Sequence, residues 1–200
     1  MYRFYLAAAD MLPSAVLLIP VYWLLNRVYF HNAGKSILYF LFSCYLSIIY
    51  VLVGLPNVTY VRAELNLNLI PFAGMVEDWK NCVLNILLFV PLGMMLPILW
   101  KKFTSIKKTS LFGFAISLTI EILQILTYRT TDINDLLTNT AGTISGFFCA
   151  MYLLKKIPKT RHVADKTKSE ELKIILSVVL LVMFFIYPFV SAALWDFILL

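Results

Sequence analysis

The feature that most constrains this chain is a repetition: six apolar stretches, each close to the roughly 20 residues of helix that cross the hydrocarbon core of a bilayer. They cover residues 11–30, 36–55, 82–100, 109–127, 136–154 and 174–195. Of the 200 residues 61% are hydrophobic and only 14% are charged, whereas soluble domains average about 25% charged. The pattern predicts an all-α, polytopic membrane protein with six transmembrane helices. Residues 1–200 are expected to form one domain, because the links between apolar stretches are too short for a separate soluble core.

A net charge of +6 would suit a nucleic-acid partner if the basic residues formed one patch. They sit instead in the gaps between apolar stretches, the pattern that orients a protein in a membrane, so the expected partner is the lipid bilayer and not nucleic acid. The first gap holds Arg27 and Lys35, and the third holds Lys101, Lys102, Lys107 and Lys108. The fifth, residues 155–173, holds seven more, so alternate gaps carry thirteen of the seventeen basic residues. These three links are expected on the cytoplasmic side, and the second and fourth links with both termini on the opposite side.

Arg3 precedes an apolar region that Asp10 and Pro13 interrupt, which predicts an uncleaved first helix starting near Met11 rather than a removable signal peptide. Cys44, Cys82 and Cys149 lack the spacing of a metal or redox site and read as small hydrophobes. The second link, residues 56–81, contains NLNLIPF with Leu67, Leu69, Ile70 and Phe72. Such a segment is expected to lie along the membrane surface or dip into it.

Against this oily background the stretch EILQILTYRTTDINDLLTN, Glu121 to Asn139, stands out. A carboxylate inside a membrane helix costs a few kcal/mol even on mild insertion scales and is by default a functional-site candidate. With a rise of about 1.5 Å per residue, Glu121 falls roughly 9 Å inside the outer end of the fourth stretch, with Gln124 one turn nearer the surface on the same face. If the fifth helix begins near Thr131, then Asp132, Asp135 and Asn139 form one stripe that Gly142 and Gly146 continue. Asn81 and Asn85 open the third stretch one turn apart. All these polar groups cluster at one depth, which predicts a polar pocket on the extracytoplasmic side lined by Asn85, Glu121, Gln124, Arg129, Asp132, Asp135 and Asn139.

Plainer structural readings exist for each residue. Asp132 or Thr131 can cap the fifth helix, with Asp135 placed favourably at the positive end of its dipole. Gly142 and Gly146 form a GxxxG and are expected to pack one helix closely on another. Asn81 and Asn85 can hydrogen-bond across helices. Glu121 can pair with Arg129, eight residues on, if the fourth helix continues that far.

Four motifs carry a resemblance: NLIPF at Asn68–Phe72, NxLLFxPLG at Asn85–Gly93, ExxQ at Glu121–Gln124 and RxxDxxDxxxNxxGxxxG from Arg129 to Gly146. Through them the chain resembles the VanZ-like family of bacterial membrane proteins, over roughly Asn66 to Leu154. The resemblance implies a multi-pass protein of the bacterial cytoplasmic membrane, connected in some members with lowered susceptibility to glycopeptide antibiotics such as teicoplanin. It implies no mechanism.

Three functions fit these residues. In the first, the pocket binds an amphiphilic envelope component, either a lipid-linked precursor or the lipid tail of a lipoglycopeptide, and lowers its availability. In the second, a membrane enzyme acts on a lipid-linked phosphate, with Glu121, Asp132 and Asp135 as catalytic candidates for acid–base or metal-binding work and Arg129 as a phosphate clamp. In the third, the chain is a small transporter using intramembrane carboxylates. His31 and His162 fall in the opposite links, and no Ser or Cys adjoins a base, so no acyl-transfer triad is expected. The residues specify no cofactor, metal or oligomeric state.

Overall fold

A computed structural model describes residues 2–63, 65–127, 129–156 and 169–199. The side chains described lie between residues 13 and 197, Ser169 excepted. The protein is mostly helical, at 79%. Its helices are α1 (Tyr2–Leu25), α2 (Ala33–Leu52), α3 (Trp79–Leu99), α4 (Ile106–Gln124), α5 (Ile133–Lys156), α6 (Ser169–Leu181) and α7 (Tyr187–Leu199). A wider π-helical turn, Asn26–Phe30, follows α1, and another, Val182–Ile186, joins α6 to α7. Each predicted apolar stretch coincides with a helical body. Among the described residues three of these, Ala33–Leu52, Trp79–Leu99 and Glu170–Phe197, are long and apolar enough to cross a membrane.

The helix ends differ from expectation in informative ways. α1 starts at Tyr2 rather than near Met11 and runs through Asp10 with both Pro13 and Pro20 inside it. α4 stops at Gln124 instead of Thr127 because its last turn tightens, Ile125 N–H reaching back only to Ile122, and the Leu126 carbonyl turns out to accept from Arg62 N–H at 2.9 Å. α5 begins at Ile133, not near Thr131, since Thr131 and Asp132 are extended and pair in parallel with Leu67 and Asn68. Most of the basic fifth link, residues 157–168, with His162, lies outside the described residues.

The chain divides into two compact units, residues 1–61 with 170–200, and residues 62–169. In the first, α1 and α2 are joined through His31, whose φ is 50°, and Asn32. Asn32 caps α2 by accepting from Lys35 N–H at 3.0 Å, and its own N–H donates to Asn26 Oδ1 at 3.0 Å. This short connection puts Lys35 in the first turn of α2, where its Nζ meets Glu171 Oε1 at 2.5 Å. Tyr39 OH donates to Glu171 Oε2 at 2.5 Å. Lys35, expected only as an orienting charge in an open link, is therefore half of a buried ion pair at the first turn of α6.

In the second unit α3 and α5 run parallel with α4 beside them. Their backbones touch: a Cβ on Gly142 would overlap the Ile86 carbonyl oxygen, one on Gly146 that of Val90, and one on Gly93 that of Thr143. Gly113 of α4 faces the Thr143 side chain equally closely. Hydrogen offers the only side chain small enough at these crossings, which is the packing use of small residues in helix pairs. Cys44, Cys82 and Cys149 are all free thiols.

Gly146→Leu is accordingly expected to cost at least the roughly 1 to 3 kcal/mol of an overpacked core, lowering the midpoint of thermal unfolding in detergent. Gly34→Ala, where the added Cβ meets nothing closer than 3.6 Å, should leave that midpoint nearly unchanged. Lys35→Met strands the buried Glu171 carboxylate and should cost about 3 to 5 kcal/mol, whereas Lys35→Met with Glu171→Leu should recover most of it.

Candidate functional site

The polar residues singled out in the sequence fall into two sets within the second unit. The first surrounds the junction of the 66–73 segment with the tops of α3, α4 and α5. Glu121, 4% exposed, projects from the last turns of α4 and accepts from Asp132 N–H through Oε2 at 2.8 Å. Its carbonyl accepts from Thr131 Oγ1 at 3.0 Å. A buried carboxylate needs such donors, since leaving one unsatisfied costs more than an ordinary hydrogen bond contributes.

Asp132 is a hub. Its Oδ1 accepts from Asn134 N–H at 2.8 Å, the bond of an N-cap to the second helical residue, and its Oδ2 accepts from Asn68 Nδ2 at 3.0 Å. It thus stands ahead of α5 and outside the stripe expected for it, because its backbone belongs to the strand pair. Asp135, in the first turn of α5, accepts from Asn85 Nδ2 of α3 at 2.7 Å, joining two helices as the sequence suggested for Asn85. Asn81 does not reach across; its Nδ2 donates to both oxygens of Asp78, at 2.7 and 2.9 Å, because it lies only three residues on and outside the helix contact.

Electrostatically the cluster is acidic. Asp132 and Asp135 repel Glu121, Asp132 and Asp78 repel Asp135, and the Arg129 guanidinium attracts both Glu121 and Asp135. Arg129 follows the end of α4, so the two-turn helical pairing foreseen with Glu121 cannot form, and its charge acts across the turn. Among the described residues no group of three or more His, Cys, Asp or Glu is arranged to hold a metal ion.

The second set, Asn139 and Gln124, is buried on α5 and α4. Asn139 donates to Ser117 Oγ at 2.9 Å, while its buried Oδ1 meets no donor among the described residues. Gln124 is buried on α4 in the stripe of Ser117 and Glu121. The structure therefore joins Asn85 to Asp135 and Asp132 to Glu121 as neighbouring pairs within the field of Arg129, and places Asn139 one turn further along α5 than Asp135 and Gln124 at the last residue of α4, one turn beyond Glu121.

Two participants escaped the sequence reading. Ser117 is four residues before Glu121, the spacing of one helix face, and that signal was available. Asn134, 4% exposed, accepts from Phe72 N–H through Oδ1 at 2.7 Å and donates from Nδ2 to the Ala73 carbonyl at 2.9 Å. Nothing in the sequence marks this clamp, because its two ends lie 61 and 62 residues apart.

Residues 36–157 match the VanZ/LLP1 family. Over 123 residues the chain is 32% identical to "Protein VanZ" of Enterococcus faecium, an alignment covering 61% of this chain and 71% of that protein. No solved structure matches. The motif resemblance begins at Asn66, but the family match reaches back into α2, so the second helix is more than a generic apolar span. Because that match takes in most of α2, all of α3, α4 and α5, and the polar residues of the second unit, the chain belongs to the VanZ/LLP1 family.

Proposed function

We propose that this chain is a multi-pass protein of the bacterial cytoplasmic membrane that lowers susceptibility to glycopeptides of the teicoplanin type by holding an amphiphilic envelope component. In this reading the chain is one domain crossing the membrane six times, with both termini and the Glu121–Asp135 turn outside. The relative's name, "Protein VanZ", and the family match support the connection with resistance. The observation that supports the binding reading is the convergence of two hydrogen-bonded pairs, Asn85 with Asp135 and Asp132 with Glu121, into one partly buried acidic cluster.

The charge balance favours a kind of ligand. Glu121, Asp132 and Asp135 act on one another as like charges, and the Arg129 guanidinium attracts two of them, so the cluster suits hydroxyl, amide N–H or ammonium donors better than phosphate oxygens. It would grip the sugar–peptide part of a lipid-linked precursor, or the donor-rich body of a lipoglycopeptide, while the apolar part stays in lipid. This acid excess, together with the amide and backbone donors already seated on the carboxylates, weighs for binding over phosphoryl chemistry.

Glu121→Gln retains an acceptor for Asp132 N–H and removes only the charge. Loss of a charge-assisted hydrogen bond to the ligand, about 1.5 to 3 kcal/mol, should weaken binding about ten- to a hundredfold. The expected result is a lower minimum inhibitory concentration of teicoplanin in a susceptible host expressing Glu121→Gln or Asp135→Asn at wild-type membrane levels. Full resistance in both strains would remove the basis for a binding pocket at these residues.

A further inference from the structure

Residues 65–79 present an uncommon surface. Leu69, Ile70, Phe72 and Val76 are 61%, 68%, 71% and 82% exposed, and contiguous apolar area of this kind marks an interaction face. The segment is nonetheless fixed from beneath. Leu67 and Asn68 pair with Thr131 and Asp132, Thr131 N–H donates to the Asn66 carbonyl at 2.9 Å, and Asn134 grips Phe72 and Ala73 as described.

Phe72 also adopts a left-handed backbone, φ 66°, a costly conformation for a bulky residue that persists only where the surroundings over-determine it. The Asn134 clamp supplies that determination. The fold therefore holds an aromatic side chain outward at a cost, which in water gains nothing and which transfer of the ring out of water would offset.

We infer that this segment is a membrane-interface anchor: Ile70, Phe72 and Val76 insert into the lipid leaflet that borders the start of α3, with Asn134 as the positioning residue that aims them. Continuity identifies the occupant. The patch leads directly into Trp79, the first residue of α3, whose exposed Val83, Leu84 and Leu87 continue it along a helix apolar enough to cross the bilayer. The Lys80 ammonium lies 6.0 Å from the Trp79 ring centroid, and Trp with a snorkelling Lys is the combination found at the headgroup level. Irregular backbone cannot enter the hydrocarbon core exposed to lipid, so insertion is shallow.

The test uses full-length protein with Cys44, Cys82 and Cys149 replaced by Ala, in phosphatidylcholine–phosphatidylglycerol nanodiscs. An environment-sensitive dye is placed at Ile70→Cys or at Phe72→Cys. Phosphatidylcholine bearing a nitroxide near the headgroup should abolish most of the fluorescence at both sites, a chain-end nitroxide less, and aqueous iodide little. Adding Asn134→Ala should reduce the headgroup-nitroxide quenching at Phe72→Cys. Quenching by iodide alone would show a water-facing loop, and quenching by no agent would show a face covered by a second copy or another protein; either overturns the anchor. Unchanged quenching in a folded Asn134→Ala protein would overturn the positioning role.

Discussion

Everything about the polar network depends on how closely α3 and α5 approach. Their backbones touch where Gly142 meets Ile86 and Gly146 meets Val90, and a residue with any side chain at those points would separate the helices. Only at that separation can a side chain as short as Asn85 reach Asp135. The glycines and the polar pair are thus one device: small residues bring the axes together, and the amide–carboxylate bond fixes the register near the N-terminal ends of the two helices.

Above that contact, the network converts three helix ends and a loop into one body. Glu121 holds the backbone of the turn through Asp132 N–H, Asp132 caps α5 and receives Asn68, and Asn134 fixes the loop around Phe72. Each bond satisfies a donor or acceptor that would be costly to bury alone. The same geometry sets acidic groups within the field of Arg129 a few residues from exposed apolar side chains at Leu69, Ile70 and Phe72.

The first unit solves a comparable problem differently. Lys35 and Glu171, 136 residues apart, neutralise one another where the first turns of α2 and α6 meet, and Tyr39 completes the carboxylate's bonding. A buried pair of this kind adds modest net stability and strongly disfavours any register that breaks it. Charge counting assigned Lys35 to a solvated link because composition records sign and position, not partners.

The sequence by itself determined where the helices lie, that polar groups concentrate at the ends of α3, α4 and α5, and which family the motifs resemble, because apolar length and residue spacing are local properties of the chain. It could also suggest that Gly142 and Gly146 serve packing and that Asn85 reaches another helix. Only the tertiary structure decided that Asp132 leaves the α5 stripe for a strand pair, that Asn139 turns to Ser117, that Asn134 clamps Phe72 and that Lys35 finds Glu171. These are contacts between residues far apart in the chain, and a hydrogen bond that short exists only after packing has set the distance between the backbones that carry it.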